Sequence, residues 1–240
     1  MNSGNEHTVK AFDTDINELR GMVAEIGGRS EQAIAKAMQA LEKHDLELAK
    51  QVVEDDKIID DLERRIDDLT FQTIALRAPM ADDLRELIAT FKISGVVERI
   101  GDYAKNIAKR VPLITQSKTL GPISLLPSMS KVASELVRDA LEAFARRDAD
   151  LAEEVSERDQ IVDDFYTSIF RATITHMIEN PKTIGEAAHL LFIAKNLERI
   201  GDHATNVAEM VYFAAKGEQM PERDRGDSPT DIWDDAEVKS

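Results

Sequence analysis

No cysteine occurs among the 240 residues. That absence excludes disulfides, thiolate metal sites and a cysteine nucleophile, and it fits a reducing compartment. Aromatic residues are scarce, at 5% of the chain, while Leu, Ile, Ala, Met and Glu are common. Only seven prolines interrupt the sequence, most of them near expected helix ends. This is a helix-favouring composition. No stretch approaches the run of about 18 apolar residues that a membrane-spanning helix needs. The N-terminus has neither the basic segment nor the apolar run of a secretory signal, so the expected location is the cytoplasm. Positive charge is also in deficit, with a formal net charge of -16. A chain of that sign is a poor general ligand for nucleic acid or for an anionic membrane. Divalent cations and basic partner surfaces are more natural ligands, although an acidic balance also serves solubility alone.

What is present is periodicity. Val9, Phe12, Ile16, Leu19, Val23, Ile26, Ser30, Ala33 and Ala37 follow alternating steps of three and four, the stripe of a long helix. Lys43-His44-Asp45 reads as a polar turn with Asp45 as the next helix cap. A second stripe runs through Leu48, Val52, Asp55, Ile59, Leu62, Ile66, Leu69, Thr73 and Leu76, with Asp55 as its one charged member. Ala78-Pro79 ends that helix. A third runs through Leu84, Leu87, Ile88, Phe91, Val97, Ile100, Ala104, Ile107 and Val111. Pro112, Gly121, Pro122 and Pro127 punctuate the chain, and helices are then expected near 123–146, 148–178 and 183–216.

The second half repeats the first. Glu98-Arg99-Ile100-Gly101-Asp102 recurs one hundred residues later as Glu198-Arg199-Ile200-Gly201-Asp202, and each copy continues to an Asn, Asn106 or Asn206. Asp56-Lys57-Ile58-Ile59-Asp60-Asp61 corresponds to Asp159-Gln160-Ile161-Val162-Asp163-Asp164, offset by 103. The expected fold is all-α, two tandem three-helix bundles related by internal duplication, over residues 1–116 and 117–216. Residues 217–240, acidic and carrying Pro221, Pro229 and a lone Trp233, read as a disordered tail.

The repeated carboxylates are the chemistry-bearing feature. Residues four apart share a helix face, so Glu98 and Asp102 form one stripe, as do Glu198 and Asp202. Asp56 and Asp60 pair in the same way on the preceding helix, and so do Asp159 and Asp163. Antiparallel helices can bring two such pairs together around a hard cation. Like charges at this spacing repel by a few tenths of a kcal/mol, roughly, and a cation removes that penalty. The competing reading is a salt-bridged face neutralised by Arg64, Arg65, Arg99, Lys105 and Arg199. Gly101 and Gly201 permit either close helix packing or room for a ligand, at about 1 kcal/mol of helix propensity each. His203 stands beside Asp202, but Tyr103 replaces it in the first copy. There is no phosphate-binding Gly loop, no nucleophile elbow, no dinucleotide fingerprint and no H-E-x-x-H. The sequence therefore reads as non-enzymatic.

Arg77-Ala78-Pro79-Met80-Ala81-Asp82-Asp83-Leu84-Arg85, followed by the two Glu-Arg-Ile-Gly-Asp copies, closely resembles the PhoU family over about residues 8–216. The resemblance implies tandem three-helix bundles with multinuclear iron or zinc clusters at the acidic motifs. Asp56, Asp60, Glu98 and Asp102 would form the first metal site, and Asp159, Asp163, Glu198 and Asp202 the second. It also implies a soluble, dimeric, non-enzymatic regulator that restrains phosphate uptake and the phosphate-starvation response. Such a protein links the ATP-binding subunit of the phosphate ABC transporter to a sensor histidine kinase, and is recruited to the inner membrane through those partners. Two other classes remain open at this point: a metal-dependent phosphatase acting on a phosphorylated signalling protein, and a structural or metal-storage bundle.

Overall fold

The computed structural model describes residues 3–115 and 121–221, with side chains from residue 11 onward. Among these residues the long elements are all helices: α1 (Ser3–Lys43), α2 (Leu46–Arg77), α3 (Asp82–Ala108), α4 (Leu126–Arg146), α5 (Ala149–Arg158), α6 (Gln160–Glu179) and α7 (Ile184–Lys216). Short 3-10 turns occupy Val111–Leu113, Gly121–Leu125 and Pro181–Thr183. The expected boundary near residue 116 and residues 222–240 of the expected tail (217–240) lie outside the described residues. No helix of the described residues is long and apolar enough to cross a membrane.

α1, α2 and α3 pack as one three-helix unit, and α4, the α5–α6 pair and α7 as the second. The units join where α3 lies against α7 and α1 against α4. The periodic stripes become the core: Ile16, Leu19, Val23, Ile26 and Ala37 are buried on α1, and Val52, Ile59, Leu62 and Ile66 on α2. Two of the three polar members of those stripes have partners, while the hydroxyl of buried Thr73 has none. Ser30 is fully buried, its hydroxyl 3.0 Å from the Ile26 carbonyl and 3.2 Å from the Val97 carbonyl of α3. Asp55 meets Lys36 of α1 at 3.3 Å. Leu84 and Ile88 depart from the stripe reading and stay exposed, flanking a fully buried Leu87. The face that α3 turns inward is narrower than its apolar stripe, so the edges remain in water.

Each unit makes the same first turn. His44 (φ 49°) and Arg147 (φ 54°) adopt the left-handed conformation, and Asp45 and Asp148 follow as helix caps. The amide of Asp45 bonds the Ala40 carbonyl and that of Asp148 the Ala143 carbonyl, both at 2.9 Å. These are six-to-one bonds that satisfy the end of the preceding helix. The Asp45 carboxylate accepts from Leu48 N, and that of Asp148 from Asp150 N and Leu151 N.

Two helices differ from expectation. The single helix expected over 148–178 is broken into α5 and α6 at Asp159. The backbone there stays right-handed (φ -57°, ψ -32°), but the Asp159 carbonyl is reached by Val162 N at 2.8 Å and by Asp163 N at 3.3 Å. The bonding tightens to a three-residue step at a carboxylate that is only 1% exposed. The helix expected from 123 likewise begins as a 3-10 turn and becomes α-helical at Leu126, with Pro127 in the first turn, where no amide hydrogen is needed.

A buried acid ties the two units together. Glu86 of α3 is 7% exposed and pairs with both Arg20 of α1 and Arg147 in the turn after α4. At the α1–α4 contact, Gly27 lets Leu141 sit directly against the helix backbone.

Removing a cap carboxylate leaves helix amides without a partner. Asp148→Ala is expected to cost about 1 kcal/mol, a fall in Tm of roughly 2–4 °C for a chain of this size. Asp45→Ala should behave alike, and thermal melts of the single and double variants should show the two losses adding.

Candidate functional site

The preceding helix and the last helix of each unit carry the acidic pairs, and the two units arrange them differently. In the second unit, Asp159 and Asp163 at the α5–α6 break and Asp202 on α7 each offer an oxygen, and these oxygens lie within 4.8 Å of one another. Among the described residues this is the group whose ligand atoms converge so closely. Glu198, one turn before Asp202, is 8% exposed. Its Oε1 accepts from Lys195 Nζ at 2.5 Å, and its Oε2 is buried without a hydrogen-bond partner. Burial pushes its carboxyl up, with Lys195 opposing and Asp202 adding to the shift.

Gly201 has a specific job in this arrangement. A Cβ placed there would come within 2.7 Å of Asp159 Oδ1, so the bare backbone of α7 is what admits the Asp159 carboxylate. The equivalent Gly101 admits a hydrocarbon instead: its Cβ would fall 2.8 Å from Ile59 Cδ1. Close packing explains Gly101, and room for a site carboxylate explains Gly201.

In the first unit a lysine fills the acidic groove. Lys105 Nζ lies 2.5 Å from Asp56 Oδ2 and 2.5 Å from Asp102 Oδ1. Partial burial works to lower the Lys105 pKa, but the bonds to Asp102 and Asp56 outweigh it and hold the ammonium well above the usual lysine range. Asp56, 5% exposed, is pushed up by burial, with Lys105 pulling the other way and Asp60 and Asp102 adding to the rise. Glu98 is raised to about 7 by burial and by the like charges of Asp102, Asp60, Glu63 and Asp56.

The arginines named as neutralisers play a smaller part. Arg64 pairs locally with Asp61, while Arg99 and Arg199 are exposed. Each of those two follows its Glu by one residue, about 100° around the helix from the acidic stripe. The residues missed by sequence reasoning are Glu63, which adds charge beside Glu98, and Lys195, which bonds Glu198 and lies 5.1 Å from the Tyr166 ring centre. Lys195 stands one turn before Glu198, so its i,i+3 spacing was the available signal. His203 serves a local bond: Nδ1 donates to the Arg199 carbonyl at 2.9 Å, and burial lowers its pKa. Its ring meets that of Tyr103, its counterpart in the first unit, edge to face at 5.1 Å between centroids. The duplicated positions thus touch across the α3–α7 contact.

The second unit fits a metal ion by its donor chemistry. Oxygens bound about 2.0–2.2 Å from one zinc ion lie within roughly 4.4 Å of each other. The Asp159, Asp163 and Asp202 oxygens, all within 4.8 Å of one another, match that spacing closely. An oxygen-only set suits one hard or borderline divalent cation.

Two outcomes follow from this geometry. Gly201→Ala forces the buried Asp159 carboxylate away, at an overpacking cost of about 1–3 kcal/mol that exceeds the gain of about 1 kcal/mol in helix propensity. Gly101→Ala meets the movable end of Ile59 and should be closer to neutral; urea unfolding of both variants measures the difference. Glu98 titrates with the opposite sign to an ion-paired acid. Its folded pKa of about 7 lies above its ordinary 4.5, so between those values the folded chain holds a proton that the unfolded chain releases. Its contribution to stability therefore falls as pH rises from 4.5 to 7. In metal-free protein, Glu98→Gln should be more stable than the parent at pH about 8 and lose that advantage as pH drops toward 5. Melts across this range that show a pH-independent gap would contradict it.

The geometry has counterparts in known proteins. The PhoU domain matches this chain twice, over residues 23–111 and 126–211, one match in each three-helix unit. A phosphate-specific transport system accessory protein PhoU homolog of Zymomonas mobilis is 53% identical over 220 residues, covering 92% of this chain and 93% of that protein. A homolog from Rhizobium meliloti is 42% identical, covering 94% of each. The crystal structure of PhoU from Pseudomonas aeruginosa superposes with a TM-score of 0.80 at 36% identity, covering 86% of this chain and all of that one. The phosphate transport system regulatory protein PhoU from Streptococcus pneumoniae superposes at 0.82 with 26% identity, covering 88% of this chain. Two domain matches, near-full-length relatives and the shared tandem fold make this chain a member of the PhoU family.

Proposed function

We propose that this protein is a non-enzymatic accessory regulator of phosphate uptake and a negative regulator of the phosphate-starvation response. The observation that carries the reading is the near-full-length identity to relatives named as phosphate-specific transport system accessory proteins. In this reading the chain works in the cytoplasm as a homodimer. It links the ATP-binding subunit of the phosphate ABC transporter to the sensor histidine kinase and reaches the membrane only through those partners.

Surface composition supports work by contact. Phe170, Ile174 and Ile178 are exposed at four-residue spacing on α6, and Phe71, Leu76 and Met80 are exposed near the end of α2. Contiguous exposed apolar residues of this kind mark protein–protein contact. The charge balance is complementary to basic partner surfaces rather than to lipid headgroups.

The acidic sites belong to the same reading. Asp159, Asp163, Glu198 and Asp202 would hold iron or zinc in the second unit, and Asp56, Asp60, Glu98 and Asp102 in the first, as multinuclear clusters. Bound metal would supply positive charge that cross-links carboxylates of neighbouring helices and stiffens the surface they share. Two features support this reading for the second unit: Gly201 admits the Asp159 carboxylate, and the oxygens of Asp159, Asp163 and Asp202 lie within 4.8 Å of one another.

Deleting the gene should raise expression from a phosphate-starvation promoter in high phosphate to the starved level, and the full chain should restore repression. Ile174→Asp with Ile178→Asp, on an exposed face, should fold normally yet fail both to repress and to co-purify with the transporter subunit or the kinase. A deletion strain that still represses normally would remove the regulatory reading.

A further inference from the structure

We propose that Lys105 is a built-in competitor for metal in the first unit, so that the two duplicated sites differ in affinity and the second fills first. The inference rests on reading the acidic pairs as metal ligands and concerns how this chain distributes metal between them.

The duplication supplies its own control. Asp102 and Asp202 are equivalent, and so are Asn106 and Asn206, yet between them Lys105 is replaced by Thr205. Lys105 bonds one carboxylate from α2 and one from α3, the same cross-helix pair that an ion between those helices would use. Its side chain is only 20% exposed, and Asp56 is 6% exposed at the side chain, so the pair is held in the groove rather than on the surface. An ion entering the first unit must displace that ammonium and return it to water. Charge-assisted bonds of this kind are among the stronger ones in proteins.

The second unit also has a lysine near its acids, but in another place. Lys195 bonds Glu198, which lies outside the three converging aspartates, and Gly95 occupies the matching position in the first unit. Thr205, 1% exposed, puts no charge in the groove. The lysine of the second unit therefore competes for one acid at the margin, whereas that of the first bridges two acids on different helices. One ammonium does not neutralise the first groove, because Asp60, Glu63 and Glu98 remain beside it. The first unit thus keeps its attraction for a cation while binding it more weakly.

Equilibrium dialysis of the metal-free full chain against Zn²⁺, with metal analysis, tests this. The parent should show two classes of site, the tighter removed by Asp202→Asn and the weaker by Asp102→Asn. Lys105→Thr, or Lys105→Gln if the first folds poorly, should tighten the weaker class by about tenfold or more. The same variants should melt at a lower temperature than the parent without metal and regain that loss on adding Zn²⁺. Thr205→Lys should weaken the tighter class. A single class shared equally by both units, or an unchanged weaker class in a folded Lys105 variant, overturns the inference while leaving both metal sites standing. No zinc at either unit of the parent overturns the inference and the metal reading together.

Discussion

The rest of the molecule is arranged around carboxylates placed where helices meet. A charged side chain leaves water at a helix contact only when a positive charge or strong donors come with it. This chain meets that requirement with lysine and arginine wherever the structure shows a partner. Lys105 bridges Asp56 and Asp102, Lys195 bonds Glu198, and Arg20 and Arg147 converge on Glu86. Where the balance stays negative, as around Glu98, the acid itself shifts toward neutrality. The same demand explains why the two copies of the acidic groove are paired differently: Lys105 sits between acids of two helices in the first unit, and Lys195 bonds one acid in the second.

The pseudo-symmetric assembly follows from the duplication. Equivalent helices α3 and α7 face each other, and equivalent residues Tyr103 and His203 touch. Equivalent turns after α1 and α4 are closed by the same left-handed residue and the same aspartate cap. Symmetry fails where function is in question. Asp159 breaks its helix while Asp56 sits in a continuous one, and Gly201 faces a carboxylate while Gly101 faces an isoleucine. The duplicated modules thus diverge at the shared site: a lysine pairs the acids of the first, while three aspartate oxygens converge in the second.

Most of the fold was legible because helical periodicity is local. The stripe through Ile16, Leu19, Val23 and Ile26 needs only its own spacing to declare a buried face. The caps at Asp45 and Asp148 were equally readable, since a cap is a contact within four residues. The break at Asp159 was not, because it falls where a buried carboxylate packs against Gly201 of α7, a contact between residues far apart in sequence. The exposure of Leu84 and Ile88 was not either, because it depends on how much of α3 its neighbours cover.

By itself the sequence determined the all-α class, the tandem duplication and the family. It also named the eight acidic positions and the lysine that meets two of them, all properties written in spacing and repetition. Tertiary structure alone decided which acids converge and which are already paired. Asp159, Asp163 and Asp202 draw together, while Asp56 and Asp102 are held by Lys105. The reason is physical: distances within a helix are set by its pitch, but those between helices are set by side-chain packing at each crossing, and a single residue such as Gly201 changes what fits there.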